Sequence, residues 1–131
     1  MTKYMVMQTY SGGEACDVPM TEWSPDDIRA HIAFQRALNE ELADKGELVD
    51  AQGLAGPEAA KKVVSGGAGG TVVTDGPFTE SKELLAGYRI IDVDSEERAL
   101  EIAARLSAAP GLGGTPIRQP IEVRQVMSAP A

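Results

Sequence analysis

Asp75 is the acid of this sequence whose position is most tightly fixed by its neighbours. It stands in the stretch Thr74-Asp75-Gly76-Pro77-Phe78-Thr79-Glu80-Ser81-Lys82-Glu83. Gly76 accepts a positive φ without steric cost, and the Asp75 carboxylate can accept from backbone N–H groups further on. Pro77 locks its own φ and pushes Gly76 out of the helical region, so the chain leaves the turn in one direction. Thr79 is then the N-cap of a short helical turn through Leu85, with Glu80 favoured by the helix dipole and Gly87 as the stop. A carboxylate fixed at the rim of a sheet can anchor a rigid turn or act as an acid–base group, and the residue types leave both readings open.

A second set of polar groups lies on a helix. Ser24-Pro25-Asp26-Asp27 supplies an N-cap, a proline at the first helical position and an acid three residues beyond the cap, so a helix runs from there to about residue 45, where Gly46 ends it. At 100° per residue, Ile28, Ile32, Leu38 and Leu42 share the face that must lie on a sheet, and His31, Gln35 and Asn39 fall in the same sector. A buried polar group without a partner costs roughly 1–3 kcal/mol. The three residues therefore line a wet pocket between helix and sheet, or they emerge at the helix edge or a dimer contact. Burial raises a carboxyl pKa toward neutrality and an adjacent imidazole can share the proton. Asp75 and His31 are accordingly the candidate acid–base groups. Gln35, Tyr88 and Tyr4, with Arg89 or Arg124, are the candidates for holding a substrate.

Other chemistries find little support. One His and one Cys cannot build a zinc site, the carboxylates show no calcium-loop spacing, and no serine sits in a nucleophile elbow. Cys16 lies between Glu14 and Asp17, which raise a thiol pKa rather than lower it. The glycines at 66–70 have neither the Gly-Lys-Ser/Thr ending of a P-loop nor a following helix start. No metal and no cofactor are expected. A net charge of −8 with a pI near 4.6 argues against direct contact with nucleic acid. The lone cysteine, the absence of a signal-peptide pattern and the lack of a membrane-length apolar run lead to the expectation of a cytoplasmic protein without membrane association.

The elements that must position these groups can be placed in order. A first strand occupies residues 3–10, and Trp23 folds back ahead of the first helix. A second strand covers 47–54. The β-rich runs 60–65 and 71–74, joined by the glycines, form a hairpin. Residues 88–93 are almost continuously apolar and read as a central strand. Asp94-Ser95-Glu96-Glu97 opens a second helix to about residue 108 with Ala99, Ile102, Ala103 and Leu106 on its apolar face. Pro110 and Pro116 bound a stretch of little regular structure, and residues 121–127 are the last strand. At 131 residues the chain is one domain, 1–131, large enough for a core without metal or disulfide.

Asp75-Gly76-Pro77-Phe78 with Glu80, Lys82-Glu83, Leu85 and Gly87-Tyr88 resembles the signature of the DGPF-type members of the YCII-related family, and the likeness extends from about residue 3 to 126. The resemblance implies an α+β fold: a ferredoxin-like antiparallel sheet with two main helices on one face, here carrying an extra β-hairpin, paired into a dimeric α/β barrel. A single such sheet leaves an apolar face to cover, so a homodimer is expected. In that family a His and an Asp near the dimer cleft have been proposed as a pair. Aligned on Gly46, Gln35 takes the place of that His and His31 stands one turn earlier. The resemblance itself implies little about chemistry; the expectation is small-molecule acid–base chemistry of lyase or isomerase type in a pocket near the dimer interface, as in related dimeric barrels, or a non-catalytic ligand-binding or regulatory module that meets an extracytoplasmic-function sigma factor through protein contact.

Overall fold

The computed structural model describes residues 1–9, 22–76 and 85–127. Within these bounds the order is β1 (Thr2–Thr9), α1 (Pro25–Asp44), β2 (Leu48–Gly53), β3 (Lys61–Val64), β4 (Val72–Asp75), β5 (Leu85–Val93), α2 (Glu96–Ser107) and β6 (Ile121–Gln125). Four strands form an antiparallel sheet in the order β2-β5-β1-β6, and β3 pairs with β4 in a separate hairpin. The two crossing helices and this strand order give the ferredoxin-like α+β arrangement, with the hairpin inserted between its halves. The stretch from Pro77 to Glu83, the Thr79 cap and Cys16 lie outside the described residues.

Local chemistry explains the helices. Ser24 caps α1 by accepting from the Asp27 amide at 3.2 Å, and Pro25 occupies the first turn where no N–H is needed. Gly46, at φ 71°, closes the other end: its amide bonds the Ala43 carbonyl and the Glu47 amide reaches back to Leu42 at 2.8 Å. Ser95 caps α2 in the same way through the Arg98 amide. The buried face of α2 is Ala99, Ile102, Ala103 and Leu106, as its period predicts. On α1 the buried residues are His31, Leu38 and Leu42, whereas Ile32 is exposed. The contact face of α1 is thus rotated toward its polar seam, because the sheet beneath offers that seam hydrogen-bond partners.

Strand β5 alternates strictly. Gly87, Arg89, Ile91 and Val93 are buried against the helices, and Tyr88, Ile90 and Asp92 point to the opposite face. Leu85, Ala86 and Gly87 already belong to this strand, so Gly87 does not stop a helical turn. A Cβ there would lie 2.9 Å from the Gln52 carbonyl oxygen, and this close strand approach is what requires glycine. β6 ends at Gln125, two residues earlier than its pattern suggests. The main core gathers Val6, Leu38, Leu42, Ile91, Ile102 and Leu106 between helices and sheet. A smaller cluster of Trp23, Ala109 and Ile117 closes the N-terminal end of α1. The 110–116 segment is ordered by a Pro110–Pro116 bridge and by Gly111, where a side chain would strike Ile117.

The β3–β4 hairpin contrasts with this packing. Register places Val63 opposite Val73 on one face and Val64 opposite Val72 on the other, and all four are exposed. Among the described residues, no helix is long and apolar enough to cross a membrane.

One largely covered ion pair ties the two halves together. Arg98 on α2 donates through Nε and Nη2 to the two carboxylate oxygens of Glu47, each at 2.9 Å. These hydrogen bonds hold the Glu47 carboxyl below the ordinary glutamate value. A carboxyl depressed in the folded state stabilises above its unfolded pKa, about 4.3, and that contribution disappears as pH falls through the folded value. In urea unfolding, Glu47→Gln should therefore be less stable than wild type at pH 7, and the difference should shrink steadily below about pH 4.3.

Candidate functional site

The polar seam of α1 faces the sheet. It meets Arg89 on β5, which is only 5% exposed. Strand register brings this about: Arg89 lies between Val6 of β1 and Ala51 of β2, on the face that the helices cover. Its Nε donates to Asn39 Oδ1 at 2.7 Å, Nη1 to Gln8 Oε1 at 3.3 Å, and Nη2 to Gln35 Oε1. Gln8, Gln35 and Asn39 are each half-buried, so the guanidinium sits at the inner end of a seam whose rim reaches solvent.

Hydrogen-bond directions along this seam are forced. Pro110 O can only accept, so His31 Nδ1, 3.0 Å away, carries the proton. Arg89 can only donate, so Gln35 turns its oxygen to Arg89 and its NH2 to His31 Nε2, at 3.4 Å. The chain runs Arg89 to Gln35 to His31 to Pro110, every link donor to acceptor, and it leaves the basic lone pair of a neutral imidazole on Nε2. Trp23 stands edge-on to the ring, with centroids 5.6 Å apart and planes at 81°. The imidazole is thus fixed in both tautomer and orientation.

Electrostatically the seam is unbalanced. Burial pulls the Arg89 pKa down to about 10, which leaves it cationic at neutral pH. No carboxylate among the described residues pairs with it; its three partners are neutral amide oxygens.

The remaining sequence candidates fall elsewhere. Tyr4 is a buried core residue on the helix-covered face. Tyr88 is on the opposite face, where its hydroxyl donates to Asp50 Oδ2 at 3.0 Å and is pushed to a higher pKa by that bond and by burial. Arg124 shares that face, opposite Met5, and is exposed beside Glu122. Asp75 ends the hairpin, where it is 86% exposed and pairs with Lys61 at 2.6 Å. Among the described residues its carboxylate makes no contact with His31. The structure therefore joins His31, Gln35, Asn39 and Arg89, and sets Asp75, Tyr88 and Arg124 apart from them within one chain.

Gln8 carried no sequence signal. Arg89 did: in a strand whose residues 87, 91 and 93 are core-facing, position 89 shares their register. Replacing Gln35 by Met should strand one Arg89 donor and the His31 lone pair, at a cost of about 1–3 kcal/mol in urea unfolding. Nitrogen-detected NMR of the sole histidine should at the same time show Nδ1–H retained through Pro110 and a shifted Nε2 resonance, since only the Gln35 donor is lost.

Comparison with known proteins accords with this architecture. The family model described as the YCII-related domain matches residues 2–119. An uncharacterised protein of Rhizobium meliloti (strain 1021) is 34% identical over 97 residues, which cover 73% of this chain and 77% of that protein. A match of this extent settles the relationship: the chain belongs to the YCII-related family.

Proposed function

We propose that this protein performs small-molecule acid–base chemistry of lyase or isomerase type at the His31 seam, and that it works as a homodimer. The observation that carries the reading is the fixed imidazole. His31 carries the imidazole of the seam, its tautomer is set from behind by Pro110, and among the described residues its Nε2 meets only a long, weak contact to the Gln35 amide. A carbon acid beside a carbonyl could displace that contact. The C–H bond breaks as Nε2–H forms, and the electron pair moves into the carbonyl as an enolate. Return of the proton at another carbon completes an isomerisation; expulsion of a group from the next carbon completes an elimination. Neither route consumes a co-reactant. Gln35 follows the proton, because a rotated amide presents its oxygen to the new N–H.

Asp75 joins this scheme only if the hairpin of one copy reaches the seam of another. Two features of the open sheet face support pairing. Met5, Met7, Tyr88 and Ile90 lie there half-buried and adjacent in register, and Asp92 Oδ1 is buried with no hydrogen-bond partner among the described residues.

Deuterium incorporation next to the carbonyl of acetone or γ-butyrolactone, followed by NMR in D2O, tests the chemistry. Wild type should exceed the buffer rate and His31→Asn should lose at least about a hundredfold of the excess; exchange no faster than buffer would sink the reading. A comparable loss in Asp75→Asn would place the hairpin acid in the same site. Light scattering should report a dimer for wild type at micromolar concentration and a monomer for Ile90→Asp, which sets a charge into the apolar open face.

A further inference from the structure

The geometry points to Arg89 as the anchor for a carboxylate: the ligand of the seam is a small monoanionic carboxylic acid, gripped by the two guanidinium N–H groups that have no partner among the described residues. This rests on the acid–base reading of the seam for its chemistry, but on separate observations for its substance.

A guanidinium has five N–H donors in a planar fork. Three are taken, one on each nitrogen, by Asn39, Gln8 and Gln35. Among the described residues one N–H therefore remains on Nη1 and one on Nη2, and a carboxylate can accept from both terminal nitrogens of a guanidinium at once. Charge argues the same way. A buried cation whose partners are all neutral retains a large desolvation cost that only an anion offsets. The fold supplies anions to its other covered arginine, Arg98, which lies against both oxygens of Glu47. Arg89 is more deeply buried, yet among the described residues receives amides alone.

Those amides suit a binding site better than a structural pair. They hold the fork flat and aimed without neutralising it, and Gln8, Gln35 and Asn39 come from a strand and a helix that meet at the half-exposed rim. The class of anion follows from the count. One uncompensated positive charge balances one negative charge, whereas a phosphate monoester brings closer to two into a protein whose net charge is already −8. The seam's own motion adds a reason. When His31 Nε2 takes a proton and Gln35 turns its oxygen to it, that oxygen is withdrawn from Arg89, and a ligand carboxylate on the fork keeps the guanidinium paired. The group that holds the ligand thereby also makes the base easier to protonate.

The test is thermal unfolding and calorimetric titration of the full chain with sodium acetate and sodium pyruvate, against sodium chloride of equal ionic strength and inorganic phosphate. A saturable rise in midpoint of about 3 °C or more with the carboxylates, not matched by chloride or phosphate, is expected. Arg89→Lys keeps the charge but not the fork, and should weaken carboxylate binding roughly tenfold or more. Arg89→Met should abolish it, and the lysine variant decides the matter if the methionine variant does not fold. Carboxylates that act no differently from chloride, affinity unchanged in Arg89→Lys, or phosphate bound more tightly would each overturn the proposal. Since proton exchange is measured on neutral acetone and lactone, a failure of carboxylate binding removes the anchor alone. Carboxylate binding retained in His31→Asn would uphold the anchor even where exchange is absent.

Discussion

A positive charge enclosed between helix and sheet is the constraint on which the centre of this molecule turns. Arg89 cannot shed its proton at neutral pH and is almost wholly enclosed, so the residues packed around it must offer acceptors to the guanidinium. That requirement rotates α1 until Gln35 and Asn39 point inward, sends Ile32 out to solvent, and recruits Gln8 from the neighbouring strand. His31 then follows, because a Gln35 oxygen committed to Arg89 leaves its NH2 committed to the imidazole. Far from being scattered exceptions in an apolar interface, these residues form one ordered set of donors and acceptors that a single cation orients.

The sheet separates two chemical environments that adjacent residues keep apart. Arg89 faces the helices and Tyr88 faces away, where Asp50 holds its hydroxyl and also accepts from the Ala51 amide. A strand's twofold alternation makes such neighbours the most distant of near residues. This is why Tyr88 and Arg124 share a surface with each other, and not with His31.

Much of this could be read from the chain, and what could not has definite causes. The α2 face was legible residue by residue because its small and aliphatic positions recur cleanly behind a strong cap. The polar seam of α1 was equally visible as a spacing, yet hydropathy alone favoured Ile32 for burial; which side of the helix meets the sheet depended on an arginine fifty residues away. Gly87 read as a helix stop because its real reason, the approach of the Gln52 carbonyl, exists only once two distant strands pair. The insertion as a hairpin was plain from its glycines, but the partner of Asp75 was not, since Lys61 meets it through hairpin register.

The place of β1 in the sheet also governs how the molecule can be made. It precedes both of its neighbours, β5 and β6, by most of the domain, the last of them ending at Gln125. During synthesis α1 can coil on its own caps, but no partner strand exists for β1 and no platform exists for the helix until most of the polypeptide has emerged. The sheet can therefore close only after its last strand has been made, and the segment carrying β1 and α1 must stay soluble while it waits, a task that its surplus of acidic residues suits.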